Sequence, residues 1–102
     1  MALKISLRKV TIIAERVLRE DLLKLLKKHG ATGWTLTAVQ GEGSRGLHAS
    51  EWEGSNVQID TLVKPAVADS IMEDIGGKYF EDWSVIVYAA EVEVMRGEKY
   101  SS

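Results

Sequence analysis

Apolar and polar residues alternate along the first stretch of the chain, from about Leu3 to Ala14. Val10, Ile12 and Ala14 share one parity, with Lys9, Thr11 and Ile13 between them. A period of two with β-branched residues predicts a strand. Leu3, Ile5 and Leu7 alternate on the opposite parity. That change leaves two options: a bulge near Arg8, or a strand that starts there after a separate arm of residues 1–7. From about Val17 to His29 the period lengthens. Leu18, Leu22, Leu25 and Leu26 fall at i, i+4, i+7 and i+8 and predict a helix with one buried stripe. Glu20 and Lys24 form an i,i+4 pair in the favourable order. Lys24, Lys27 and Lys28 crowd the last turn and His29 follows them, where cations suit the helix dipole. Gly30 ends this helix as its C′ residue.

Gly33 to Val39 reads as a second strand. The period then disappears. Residues 40–55 hold four glycines and three serines, and a loop of that length inside a small domain is uncommon unless it has a function or is disordered. Alternation returns at Asn56–Val63, where Val57, Ile59, Thr61 and Val63 predict a third strand. Pro65 suits the first position of a helix. Val67, Ile71 and Ile75 supply its stripe, and Gly76-Gly77 is expected to end it. Trp83–Ala90 is a nearly continuous apolar run, which predicts a well-buried strand. Glu91-Val92-Glu93-Val94 continues it or forms a short fifth strand. The order β-α-β-loop-β-α-β is the split βαβ, ferredoxin-like α+β arrangement, with both helices on one face of an antiparallel sheet. The chain then carries too many apolar residues for one sheet face, and burial against neighbouring subunits would cover the other.

Composition narrows the function. The 102 residues suit one domain, with the loop at about 40–55 and a flexible tail from about 97 to 102. A net charge of -2 gives no basic excess for nucleic acid or an anionic membrane. No cysteine is present, so disulfides, thiolate metal sites and cysteine nucleophiles are excluded. No apolar run approaches the roughly 18 residues of a membrane span. Charges interrupt every apolar stretch after Met1, so no signal peptide is expected and the cytoplasm is the default.

The candidate chemistry sits in the loop. Gly41, Gly43 and Gly46 permit close backbone approach to a ligand, and successive free N–H groups can curl into an anion-holding nest. Arg45 adds a planar positive fork, and Ser44 a hydroxyl. A plain flexible connector explains the same glycines, and Gly-x-Gly alone does not decide between the two. Gly76-Gly77-Lys78 reads as a helix end with a solvated lysine, and Arg96-Gly97-Glu98 as a polar tail. Neither His29 nor His48 has metal-ligand spacing. Glu51 and Glu53 flank Trp52, but nothing desolvates them, so acid–base catalysis finds no support. Trp52 and His48 are candidate partner contacts in an exposed loop.

Four segments together carry a resemblance. Ala31-x-Gly33-Trp34-Thr35, Gly41-Glu42-Gly43-Ser44-Arg45, Lys78-Tyr79-Phe80-x-Asp82-Trp83 and Ala90-Glu91-Val92 resemble the PII-like signalling proteins, in particular the branch linked to carboxysomes and bicarbonate uptake. The resemblance spans roughly residues 8–97. It implies a ferredoxin-like homotrimer with long T-loops that binds an adenine nucleotide (AMP, ADP, ATP or cyclic AMP) in clefts between subunits. Bicarbonate is implied as a second ligand, and a membrane bicarbonate transporter or another carbon-uptake protein as the partner. It implies binding and signalling rather than catalysis. By the same resemblance Gly41, Gly43, Ser44 and Arg45 would hold phosphate, and Ile86, Val87 and Tyr88 would line the base. Lys78 and Arg96 loosely match two further phosphate-gripping segments of PII proteins, without the threonine of one and with Gly76 where the other has an acidic residue. The loop lacks the tyrosine that PII proteins modify, and the terminal cysteine pair of some bicarbonate-linked members is absent. Three other readings stand beside this one: a dimeric ferredoxin-like enzyme, a trimeric metal-tolerance protein and an amino-acid-binding regulatory domain. The first two want an acid–base or metal-ligand cluster that the sequence does not display. The third predicts a dimer that binds no nucleotide.

Overall fold

The computed structural model describes residues 4–39 and 56–95. Four strands and two helices follow in the expected order: β1 (Ile5–Glu15), α1 (Arg19–Lys28), β2 (Thr35–Val39), β3 (Asn56–Val63), α2 (Pro65–Tyr79) and β4 (Ile86–Val94). A single 3-10 turn, Arg16–Leu18, joins β1 to α1. The sheet order is β2-β3-β1-β4, and every neighbouring pair is antiparallel. This is the ferredoxin-like βαββαβ arrangement. No helix among the described residues is long and apolar enough to cross a membrane.

β1 is the centre of the fold. It pairs with β3 from Arg8↔Val63 to Glu15↔Asn56 and with β4 from Ile5↔Val94 to Ile13↔Ile86. The β4 register runs unbroken through Arg8 from Ile5, and the β3 register begins at Arg8, so residues 5–7 are part of β1 and neither a bulge nor a separate arm there explains the parity change. The reason is that β1 buries residues on both faces. Val10, Ile12 and Ala14 lie under the helices in the main core. Leu7 and Thr11 have the opposite parity and are also buried, at 1% and 0% exposure.

One core joins the sheet to both helices. Leu18, Leu22, Leu25 and Leu26 from the first helical segment meet Ala68, Ile71 and Ile75 of α2 over Val10, Ile12, Ile59, Val63 and Val85. Each large aliphatic side chain in this layer contributes about 1.5–3 kcal/mol by leaving water. Gly30 ends the first helix in the left-handed region, with φ 88°, and its N–H donates to the Lys27 carbonyl at 3.0 Å.

Three local expectations are corrected. Glu20 does not pair with Lys24; its carboxylate lies 2.7 Å from the Arg19 guanidinium. Gly76-Gly77 does not end α2, which runs on to Tyr79. Phe80 explains the extension: its N–H donates to the Gly76 carbonyl at 3.4 Å, and its ring covers Gly76. The apolar run 83–90 is not a buried strand in the single chain. The strand begins at Ile86, lies at the sheet edge and exposes most of its residues.

Candidate functional site

The strand pairings gather several chain segments at one end of the sheet. β2 ends there at Val39 and β3 begins there at Asn56, its direct partner. β1 ends beside them, with Glu15 opposite Asn56. β4 begins at the same end, with Ile86 opposite Ile13. The sheet therefore sends out and receives back residues 40–55 at the end where the turn from α2 arrives. Gly41, Gly43, Ser44, Arg45, His48 and Trp52 belong to that segment and lie outside the described residues, as does Arg96.

A groove of about 370 Å³ opens at this end on the helix side. Leu36, Ala38 and Val57 form its floor, and Arg16, Val17, Arg19 and Glu20 its rim. Val17 is 57% exposed, so the groove combines an apolar base with two guanidiniums, one of them tied to Glu20.

The three residues expected to line a base do not share a face. Val87 packs against the core. Ile86 and Tyr88 take the other parity, facing away from the helices, and are 45% and 44% exposed. The groove and the Ile86–Tyr88 surface thus lie on opposite faces of the sheet. Phe80 and Trp83 are exposed in the turn before β4.

Lys78 is engaged elsewhere. Its ammonium lies 3.3 Å from Asp74, one helical turn back. Asp74 also receives the Lys28 ammonium at 3.4 Å and the His29 Nε2–H at 2.7 Å. One carboxylate on α2 therefore holds two residues from the end of α1. The His29 hydrogen bond holds the Asp74 carboxyl below the usual carboxylate range, the two lysines add to this, and partial burial opposes it. Burial pushes the neighbouring Tyr79 hydroxyl up, with Asp21 and Asp74 adding to the shift. Lys27 sits 6.0 Å from the Trp34 ring centre, a cation–π distance.

One polar group escaped the sequence reading. The Thr11 hydroxyl donates to Asp60 at 2.6 Å, and the Gln58 amide donates to the other Asp60 oxygen at 3.2 Å. This network crosses the sheet face opposite the helices, beside Ile13 and Leu62. The signal was present as polar residues at Gln58 and Asp60, but alternation alone reads them as solvated. No group of three or more metal-ligating side chains occurs among the described residues.

Comparison with known proteins places this geometry. The family model for the nitrogen regulatory protein P-II matches residues 7–99. A PII-like signalling protein from Thermus thermophilus is 42% identical, with 95% of this chain and 97% of that one aligned at a TM-score of 0.83. CPII from Thiomonas intermedia K12, a PII-like protein solved with ADP, AMP and bicarbonate, is 25% identical, with 98% of each chain aligned at a TM-score of 0.84. The B. subtilis GlnK–ATP complex is 21% identical, over 83% of this chain and 82% of that one, at a TM-score of 0.57, and adds support for the fold alone.

Proposed function

The chain belongs to the nitrogen regulatory protein P-II family as a PII-like regulatory protein, and on that premise we propose that it binds an adenine nucleotide together with bicarbonate and regulates inorganic carbon uptake through residues 40–55. The binding unit in this reading is a homotrimer with its ligand in the clefts between subunits. Residues 1–102 act as one domain in the cytoplasm, with a bicarbonate transporter or another carbon-uptake protein as partner. The role is binding and signalling rather than turnover.

The observation that carries the reading is the family match across residues 7–99, which takes in both the 40–55 segment and β4. CPII, solved with ADP, AMP and bicarbonate, supports the choice of ligands. The physical arrangement agrees. The sheet face opposite the helices presents Ile86 and Tyr88, an apolar surface that a second and third copy would cover. A ligand held between copies would touch Ile86 and Tyr88, and its phosphates would meet Gly41, Gly43, Ser44 and Arg45, with Trp52 and His48 left for the partner. Lys78 and Arg96 are secondary candidates, since Lys78 must first leave Asp74. Two ligands become a signal when they favour different states of the loop. A coupling of about 1–3 kcal/mol between them is sufficient.

The test is isothermal titration with AMP, ADP, ATP and cyclic AMP, with and without bicarbonate. Micromolar binding near one nucleotide per chain, lost in Arg45→Ala, is the expected result. Heat-free titrations with all four nucleotides would reject the reading.

A further inference from the structure

β2 is an edge strand that the chain leaves open. It lies at the end of the sheet order, pairs with β3 on one side and meets no strand among the described residues on the other. Four of its five residues are exposed. Natural sheets guard such edges with charge, proline or a bulge. The opposite edge, β4, carries Glu91 and Glu93. β2 reads Thr-Leu-Thr-Ala-Val, with neither charge nor proline. Its pairing with β3 runs without a break from Thr35↔Asp60 to Val39↔Asn56, so no bulge turns the edge away. The edge also borders the groove. Leu36 and Ala38 stand opposite Ile59 and Val57 on the helix side, where Leu36, Ala38 and Val57 floor the groove of about 370 Å³ beneath Arg16, Val17 and Arg19. Arg16 has no ion pair among the described residues, and Arg19 holds the exposed carboxylate of its neighbour Glu20. The proposed trimer face, with Ile86 and Tyr88, is the other side of the sheet, so this side stays open in the assembly.

We infer that β2 is a docking edge for a partner protein, which adds an extended segment to the sheet beside it and sets the apolar and acidic side chains of one face into the groove. The open backbone of β2 supplies main-chain hydrogen bonds that any sequence can use. The groove supplies the choice. Side chains of an added strand alternate between faces, so every second one comes level with Leu36 or Ala38 on the helix side. There an apolar side chain meets Leu36, Val57 and the exposed Val17, and a carboxylate meets Arg16 or Arg19. Among the described residues no aromatic ring lines the groove, so it offers a single-stranded nucleic acid nothing to stack on. β2 continues directly into residues 40–55, which puts the bound segment next to the partner contacts proposed there. The inference deepens the partner reading above by giving the partner's chemistry, and it does not depend on the nucleotide.

The probe is a fluorescein-labelled octapeptide with threonine at the odd positions and leucine and glutamate in turn at the even ones. A counterpart carries lysine in place of glutamate. Anisotropy measures binding to the full chain and to Arg16→Glu/Arg19→Glu, and amide hydrogen exchange locates it. Both arginines are exposed, and acidic residues suit the start of α1, so the variant keeps the fold. The glutamate peptide should bind the wild type. Exchanging its glutamates for lysine, or reversing the two arginines, should each weaken binding about tenfold or more. Exchange should slow at the β2 amides that do not face β3. Absence of binding by the glutamate peptide overturns the inference, as does equal binding of the lysine peptide or binding that leaves exchange in β2 unchanged. Dissociation of the assembly by the charge reversal, read by sedimentation, also overturns it and makes this edge a contact between copies. Titration of the same samples with ADP separates the two readings. A peptide that fails to bind removes this inference alone, whereas failure of ADP to bind removes the nucleotide reading and leaves this inference standing.

Discussion

Replacing Asp74 by asparagine keeps the shape and one hydrogen-bond acceptor but removes the charge that faces the Lys28 and Lys78 ammoniums and the His29 N–H. The two lysine contacts are weak. Their distances are 3.3 and 3.4 Å, and the lysines are half-exposed or more, so each is worth about 0–0.5 kcal/mol. The His29 contact is stronger, at 2.7 Å with both side chains more than four-fifths buried. A hydrogen bond to a charged group contributes about 1.5–3 kcal/mol, and the amide retains part of it. Asp74→Asn should therefore cost about 1–2 kcal/mol at neutral pH. The pH dependence follows from the direction of the shift. The folded carboxyl lies below its ordinary value of 3.8, so its contribution is complete above that value. It fades as pH falls below 3.8 toward the folded value. Urea unfolding at fixed protein concentration, from pH 7 down to pH 3, measures both quantities. The deficit of the variant should be full at pH 7 and should shrink at pH 3. Asp69→Asn, on the same helix but exposed and without an ion pair among the described residues, should stay within about 0.5 kcal/mol of wild type. A variant as stable as wild type at pH 7, or a deficit that persists undiminished at pH 3, would show that the Asp74 charge does not stabilise the fold.

Other outcomes follow from single features. Gly30→Ala should lower stability by about 1 kcal/mol from backbone strain alone, because φ is 88° and nothing lies within 4 Å of the added methyl; thermal unfolding reads it. Ile71→Ala removes a fully buried side chain between α2 and the sheet and should cost about 2–5 kcal/mol by denaturant titration. Tyr88→Asp adds a charge to the exposed face of β4. It should dissociate the proposed trimer in sedimentation experiments while leaving the far-ultraviolet dichroism of the chain intact. An unchanged sedimentation coefficient would place the subunit contact elsewhere.

The sequence yielded the fold wherever pattern alone decides structure. Val57, Ile59, Thr61 and Val63 alternate with polar Gln58 and Asp60, and the strand Asn56–Val63 has the expected bounds. The leucines at 18, 22, 25 and 26 form the buried stripe that their spacing demands. Gly30 adopts the positive φ expected of a C′ glycine. Errors arose where tertiary contact overrides local preference. Gly76-Gly77 reads as a stop, yet the Phe80 ring and N–H carry the helix past it. The run 83–90 reads as buried, but periodicity cannot tell whether a sheet face is covered by the same chain or by another copy. Contacts across distant positions were not legible at all. His29 and Asp74 are separated by 45 residues, and Thr11 and Asp60 by 49. Nothing local marks either pair. Ile86 and Tyr88 could be singled out, but their separation from Val87 follows only from the observed register. Arg16 and Arg19 were unremarkable as sequence and became the rim of a groove only once β2 lay beside them.

Native mass spectrometry of the full chain, with ADP and bicarbonate added and then removed, tests the account most directly, because it reads assembly and ligand count together. A nucleotide-binding homotrimer would appear as a species of three times the chain mass that carries up to three nucleotides, with Arg45→Ala retaining the trimer but losing the nucleotide. A monomer or dimer that carries no nucleotide at saturating ligand would contradict it.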